Sequence, residues 1–127
     1  MKLSYLPSVI LLLLLPLASM ADGIDNVANL LKAGNTKELS KLFAPSIEIT
    51  IMDSENTYSQ TQAAVILDKF LAKNKPKSIK SLHKVNSGGN YHFGVYLLNT
   101  DTGEFRVAIT LKDNSVVELK IEDEKVK

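Results

Sequence analysis

Two histidines, His83 and His92, are the side chains of this chain whose ordinary pKa lies close to neutrality. There is no cysteine, which removes thiolate nucleophiles, disulfides and thiolate metal sites together. His83 is therefore the candidate general base. An acidic base is lacking on the same inward parity, because Glu104, Glu118 and Glu122 alternate outward while Asp53 and Glu55 fall in a turn. Proton abstraction facing an oxyanion hole would have to run on imidazole. A hydrogen-bonded structural histidine is the simpler reading. The two histidines fall on opposite faces of a sheet and lack a third ligand, so no metal and no other cofactor is expected. No catalytic motif stands out.

These residues sit in a stretch from Ile79 to Glu122 where apolar and polar residues alternate through three turn signals. Phe105, Val107, Ile109 and Leu111 share one parity, and so do Val117, Leu119 and Ile121. A period of two belongs to strands with one buried face, so the stretch predicts a four-stranded antiparallel meander. Its turns are Ser87-Gly88-Gly89-Asn90, Thr100-Asp101-Thr102-Gly103 and Lys112-Asp113-Asn114-Ser115. Three-residue loops would place Leu97 opposite Val107, Val95 opposite Ile109, Leu111 opposite Val117, Ile109 opposite Leu119, Val85 opposite Phe93 and His83 opposite Val95. All three loops then put the larger apolar set on one face, with odd-numbered residues from Tyr91 to Ile121 turned toward the helices.

That register sorts the candidate residues. Inward lie His83, Tyr91 and Phe93, which with Phe70 and Tyr58 would line a narrow apolar cleft for a small hydrophobic ligand. The same aromatics serve equally as core, since a domain this small needs most of its rings to fill itself. Outward lie Leu82, Gly94, Tyr96, Leu98 and Ala108, an apolar strip rimmed by Lys80, Lys84, Arg106, Glu118, Lys120 and Glu122. A contiguous strip of that kind is a candidate contact surface for a homodimer.

Upstream, Ile24, Val27, Ala28 and Leu31 predict a helix over 25–33, with Gly34 as its left-handed C-cap. Asn35 and Glu38 have the capping-box spacing for a second helix with Leu39, Leu42 and Phe43 on its apolar edge, ended by Pro45. Ile47, Ile49 and Ile51 mark a short strand, and Asp53-Ser54-Glu55-Asn56 a turn. Ser59 and Gln62 head a third helix with Ala63, Ile66, Leu67, Phe70 and Leu71 inward. The tail Glu122–Lys127 is a charge run expected to fray.

Residues 1–21 have a basic start at Lys2, a greasy run from Val9 to Leu17 and small residues in Ser19-Met20-Ala21. That is the pattern of a cleaved secretory signal peptide, too short for a comfortable membrane span of ~20 residues. A single domain over 22–127 would remain, periplasmic or secreted, with no membrane span after cleavage. Removing Lys2 leaves the chain formally neutral, which argues against nucleic acid as a partner.

In order of elements the chain resembles the nuclear transport factor 2-like superfamily, the cone-shaped cystatin-like fold of ketosteroid isomerase and the polyketide cyclases. More narrowly it resembles domain-of-unknown-function family 4783, small exported proteins of Gram-negative bacteria. The likeness is carried by Lys32-Ala33-Gly34-Asn35, Glu38-Leu39, Tyr58-Ser59 with Gln62-Ala63, Phe70-Leu71-Ala72-Lys73-Asn74, Gly94 before Leu97, and Phe105-Arg106-Val107. The resemblance implies an α+β cone, three helices and a short strand on a curved four-stranded meander. It implies a pocket between sheet and helix, and relatives that dimerise through the open sheet face. It implies no activity. The expectation is an exported, non-catalytic module binding a small apolar ligand or a protein partner, with an isomerase- or cyclase-type enzyme using His83 and a purely structural homodimer as the alternatives.

Overall fold

The computed structural model describes residues 23–86 and 90–124. The expected signal segment 1–21, residues 87–89 of the first meander turn and the last three tail residues lie outside them. Three helices, α1 (Gly23–Ala33), α2 (Thr36–Ser40) and α3 (Gln60–Lys73), cover one face of a six-stranded sheet. Its strands are β1 (Phe43–Ile51), β2 (Ser54–Ser59), β3 (Pro76–Asn86), β4 (Tyr91–Thr100), β5 (Gly103–Lys112) and β6 (Ser115–Asp123). Their spatial order is β2-β1-β6-β5-β4-β3, with β1 parallel to β6 and every other pairing antiparallel. The expected α+β fold, four-stranded meander and strand at Ile47–Ile51 are present; that strand, β1, begins earlier than expected, and β2 is added beyond it.

The helices follow their local signals. Gly34 is left-handed at φ 68°, and the amides of Gly34 and Asn35 donate to the carbonyls of Leu31 and Leu30, which closes α1. Ser59 and Gln62 form the full capping box at the head of α3. Asn35 accepts from the Glu38 amide at 3.2 Å, but the Glu38 carboxylate turns to Lys41 instead of completing the box. Helix α2 is shorter than expected. Phe43 belongs to β1, buried at its start, and Pro45 is tolerated there because the β1–β6 register shifts between Phe43 and Glu48. The expected turn over 53–56 is instead a two-residue turn at Met52-Asp53 leading into β2, since Ile51 faces Ser54. At the other end the tail is held as far as Glu124, whose carboxylate receives two hydrogen bonds from the Arg106 guanidinium at 3.0 and 3.1 Å.

The decisive departure is in β4. The β4–β5 turn has two residues, not three: Thr100 faces Gly103, Leu98 faces Phe105 and Tyr96 faces Val107. The Thr100 hydroxyl accepts from the amides of Thr102 and Gly103 at 3.2 Å and donates to the Gly103 carbonyl at 2.8 Å. It thereby satisfies groups that a longer loop would have paired through backbone. One residue of slip turns every side chain of the strand over. Gly94, Tyr96, Leu98 and Thr100 therefore face the helices and are buried, while Tyr91, Phe93, Val95 and Leu97 face away. Val85 does face Phe93 and His83 does face Val95, so His83 is turned outward too. The odd-inward rule holds for Phe105 to Leu111 and for Leu119 and Ile121. Ile109 meets Leu119 as expected. Leu111 meets Val116 rather than Val117, because Asp113 and Asn114, both left-handed, make a two-residue turn followed by a bulge.

The core lies between the concave face and the helices. Ile24, Val27, Ala28 and Leu31 of α1 and Ala63, Leu67, Phe70 and Leu71 of α3 pack on Leu98, Val107, Ile109, Leu119 and Ile121. Phe70 meets Phe105 edge-on, ring centres 5.1 Å apart. Helix α1 comes very close to β4 at Gly94, where a Cβ would stand 2.9 Å from the Tyr96 ring and 3.2 Å from the Ile24 side chain.

Two substitutions of opposite sign follow. Gly94→Ala should cost about 1–3 kcal/mol in urea unfolding through overpacking, and Ile24→Val added to it should recover part of the loss. Met52 has φ 58°, a left-handed conformation that costs a side chain about 1 kcal/mol or more. Met52→Gly should accordingly leave the urea midpoint unchanged or raise it.

Candidate functional site

The five residues placed around a cleft do not come together. Phe70 is in the core and Tyr58 is half-buried on β2, whereas His83, Tyr91 and Phe93 are exposed on the opposite, convex face. The sheet itself separates Phe70 from Tyr91 and Phe93. No cleft can lie between them. The expected contact strip also breaks up: Gly94, Tyr96 and Leu98 are concave and buried, Leu82 is 42% exposed at the β3 bulge, and Ala108 alone is convex as expected. His83 and His92 do fall on opposite faces, with the faces exchanged: His92 faces Leu111 on the concave side.

What the slip assembles on the concave side is a polar knot that the sequence reading missed. Tyr96, 2% exposed, donates its hydroxyl to Asp25 Oδ1 at 2.9 Å, and Lys84 Nζ reaches Asp25 Oδ2 at 2.9 Å. Asp25 stands in the first turn of α1, a position where the helix dipole favours a carboxylate. The Lys84 hydrogen bond, joined by that of Tyr96 and opposed in part by desolvation, holds the Asp25 carboxyl below its ordinary range. Two residue pairs further along the hairpin, His92 Nδ1 lies 2.6 Å from Asn86 Oδ1. Both oxygens of Asp25 are engaged and its proton affinity is lowered, the reverse of what a base working near neutrality requires. The knot clamps α1 to the sheet. The missed signal was Asp25 itself, unexplained by the apolar spacing of its helix.

The convex face carries two features. The first is an apolar strip down β4, where Tyr91 is 48% exposed and Phe93 37%, with Val95 and Leu97 half-buried beyond them. Val85, 39% exposed, lies opposite Phe93, and Ala108 opposite Val95. The rim is Lys80, His83, Arg106, Thr110 and Lys112. The second is acidic. Glu48 faces Glu118 across β1–β6, and a hydrogen bond with Glu55 together with the charges of Glu55 and Glu118 pushes its carboxyl up. A hollow of about 310 Å³ near the β1–β2 turn is lined by Thr50, Met52, Asp53, Lys120, Glu122 and Asp123. Among the described residues, no three His, Asp or Glu side chains are grouped to hold a metal ion, and no helix is long and apolar enough to cross a membrane.

The knot is testable by pH. Because the folded-state pKa of Asp25 is depressed, its contribution is present above the unfolded value of about 3.9 and is lost as pH falls through the folded value. Tyr96→Phe should cost about 1 kcal/mol at pH 7, a small value because the carboxylate is partly solvated. The gap in urea midpoint between wild type and Asp25→Asn should close as pH is lowered from 5 toward 2. A gap that stays constant would show that Asp25 acts through packing alone.

With this geometry in hand, known proteins give a consistent comparison. A crystal structure of a DUF4783 family protein from Bacteroides ovatus superposes with a TM-score of 0.70 at 23% identity, covering 75% of this chain and 89% of that one. One from Bacteroides uniformis gives 0.73 at 20% identity, covering 76% and 93%. A steroid delta-isomerase from Pseudomonas aeruginosa gives 0.59 at 11% identity, covering 82% and 78%, a likeness of fold alone. No curated protein matches the chain. The family profile described as Domain of unknown function (DUF4783) matches residues 24–125, and the chain belongs to that family.

Proposed function

We propose that the chain is an exported, non-catalytic binding module of the bacterial cell envelope, which associates with a second copy of itself through the convex face of the sheet. One observation carries this reading: the greasier side of β4, with Tyr91, Phe93, Val95 and Leu97, is turned away from the core. Aromatic side chains cost free energy in water and are the usual anchors of protein contacts. The strip runs along a single strand, so a two-fold axis crossing β4 would lay it on its own copy, the self-matching arrangement of an isologous dimer. Dimerisation through the open face in the superfamily that the sequence resembles supports the choice of partner. Export rests on the N-terminal pattern of Lys2, the run to Leu17 and Ala21. The enzyme alternative loses its base, because His83 stands exposed on the convex face rather than inside the cone.

Sedimentation velocity on the chain from Asp22 onward tests the proposal. The wild type should sediment as a dimer, and Phe93→Asp should weaken association at least about thirtyfold, as loss of an aromatic anchor does. At a concentration low enough for both to be monomeric, the urea midpoint of that variant should fall little, since Phe93 is already exposed in the monomer. Identical sedimentation of wild type and Phe93→Asp would overturn the reading. Tyr96→Asp, by contrast, should unfold the domain, for Tyr96 is buried beneath α1.

A further inference from the structure

The sheet has two free edges, β3 and β2, and they differ in character. Strand β3 is guarded. Its ladder with β4 is broken by irregularities between Pro76 and Ser78 and between Ser81 and His83, and it carries Pro76, Lys77, Lys80 and Lys84. Bulges, proline and lysine are the devices that keep a foreign strand from adding to an edge. Strand β2 has none of them. Ser54 to Ser59 pair with Ile51 to Ser46 in one unbroken register, without proline, lysine or bulge. Among the described residues no strand lies beyond β2, so its outward backbone groups have no ladder partner, except that the Ser59 amide at its end donates to Gln62 Oε1 at 3.3 Å.

Two further observations say what would fit there. On the helix side, beside Tyr58, lies a hollow of about 260 Å³ completed by Thr61, Gln62, Val65 and Ile66 of α3. Val65 is 50% exposed, an aliphatic side chain on an outer helix face with the core elsewhere. On the convex side, Glu55 and Thr57 of β2 stand across from Thr50 and Glu48. Glu55, Glu48 and Glu118 crowd one another there, and Lys120 on the same face is bonded to Glu122 at 3.1 Å. One side of the edge is thus apolar and hollow, and the other carries more carboxylates than cations, Glu48, Glu55, Glu118 and Glu122 against Lys120.

We propose that β2 is a strand-acceptor edge, which takes an extended segment of a partner protein whose apolar side chains alternate with lysine or arginine. Main-chain hydrogen bonds to β2 supply the affinity, and the two faces read alternate side chains. Apolar residues enter the hollow under Val65, and basic ones meet Glu55 and Glu48. This site is separate from the convex strip of β4 and does not rest on self-association.

Three capped octapeptides probe it: alternating valine and lysine, alternating valine and glutamate, and the valine-lysine peptide with its two central residues replaced by proline. Fluorescence anisotropy measures affinity, and amide hydrogen exchange locates the contact. The valine-lysine peptide should bind saturably and slow exchange in β2. The other two should bind at least about tenfold more weakly, one for lack of charge match and one for lost ladder bonds. Glu55→Lys should invert the preference between the charged peptides, and Val65→Asp should weaken both, each with unchanged circular dichroism. Phe93→Asp should leave peptide binding as it is. The proposal fails if no peptide saturates, if the proline peptide binds as well as the regular one, or if protection appears along β3 instead of β2.

Discussion

The hydroxyl of Thr100 decides which side of β4 is interior. By bonding three backbone groups of the turn it closes the β4–β5 hairpin on Asp101 and Thr102 alone. The turn is anchored from outside as well, because the Asp101 amide donates to the Lys75 carbonyl and the Asp101 carboxylate accepts from the Lys75 amide. From that register Tyr96 acquires its place under α1, and Gly94 becomes the floor on which Ile24 sits. The same choice leaves Tyr91 and Phe93 in water. Core, clamp and exposed strip are three outcomes of one local constraint.

A domain this small buries little apolar surface for its length, so the docking of each helix counts heavily. Helix α3 is fixed by packing, with Phe70 set edge-on against Phe105. Helix α1 combines packing with a bidentate use of Asp25, which joins it to both β3 and β4 through Lys84 and Tyr96. An ion pair of this exposure adds little by itself. Its value is directional, since the buried Tyr96 ring must present its hydroxyl to one acceptor. The buried Tyr96 hydroxyl is thereby satisfied by a protein acceptor.

Much of this was legible in the residues. The helices announced themselves through Gly34 and the Ser59–Gln62 box, and the meander through its period of two. Strand β2 was not legible, because Ser-Glu-Asn-Thr-Tyr-Ser buries almost nothing and has no apolar alternation to betray it. The face of β4 is illegible for a sharper reason. Its odd-numbered set is the more apolar, and apolarity points to burial. What overrode the pattern was a side-chain hydrogen bond at the turn and a need for a small residue at Gly94, neither of which a periodicity count can see. The candidate surfaces inherited that error. The family assignment did not, since it rested on local motifs whose facing is irrelevant.

The parallel pairing of β1 with β6 carries a kinetic consequence. Ile49 finds Leu119, and Ile51 finds Ile121, only after almost the whole of the intervening chain has been made. Closing a loop of that size is entropically costly, and contacts so distant in order slow the passage to the native state. The β1–β2 hairpin and α3 must therefore wait, with the second edge of β1 unpaired, for the last strand to arrive. A nascent molecule is consequently exposed to aggregation until its last strand is made, and a terminal truncation that removes β6 would leave β1 paired on one side only, with β2.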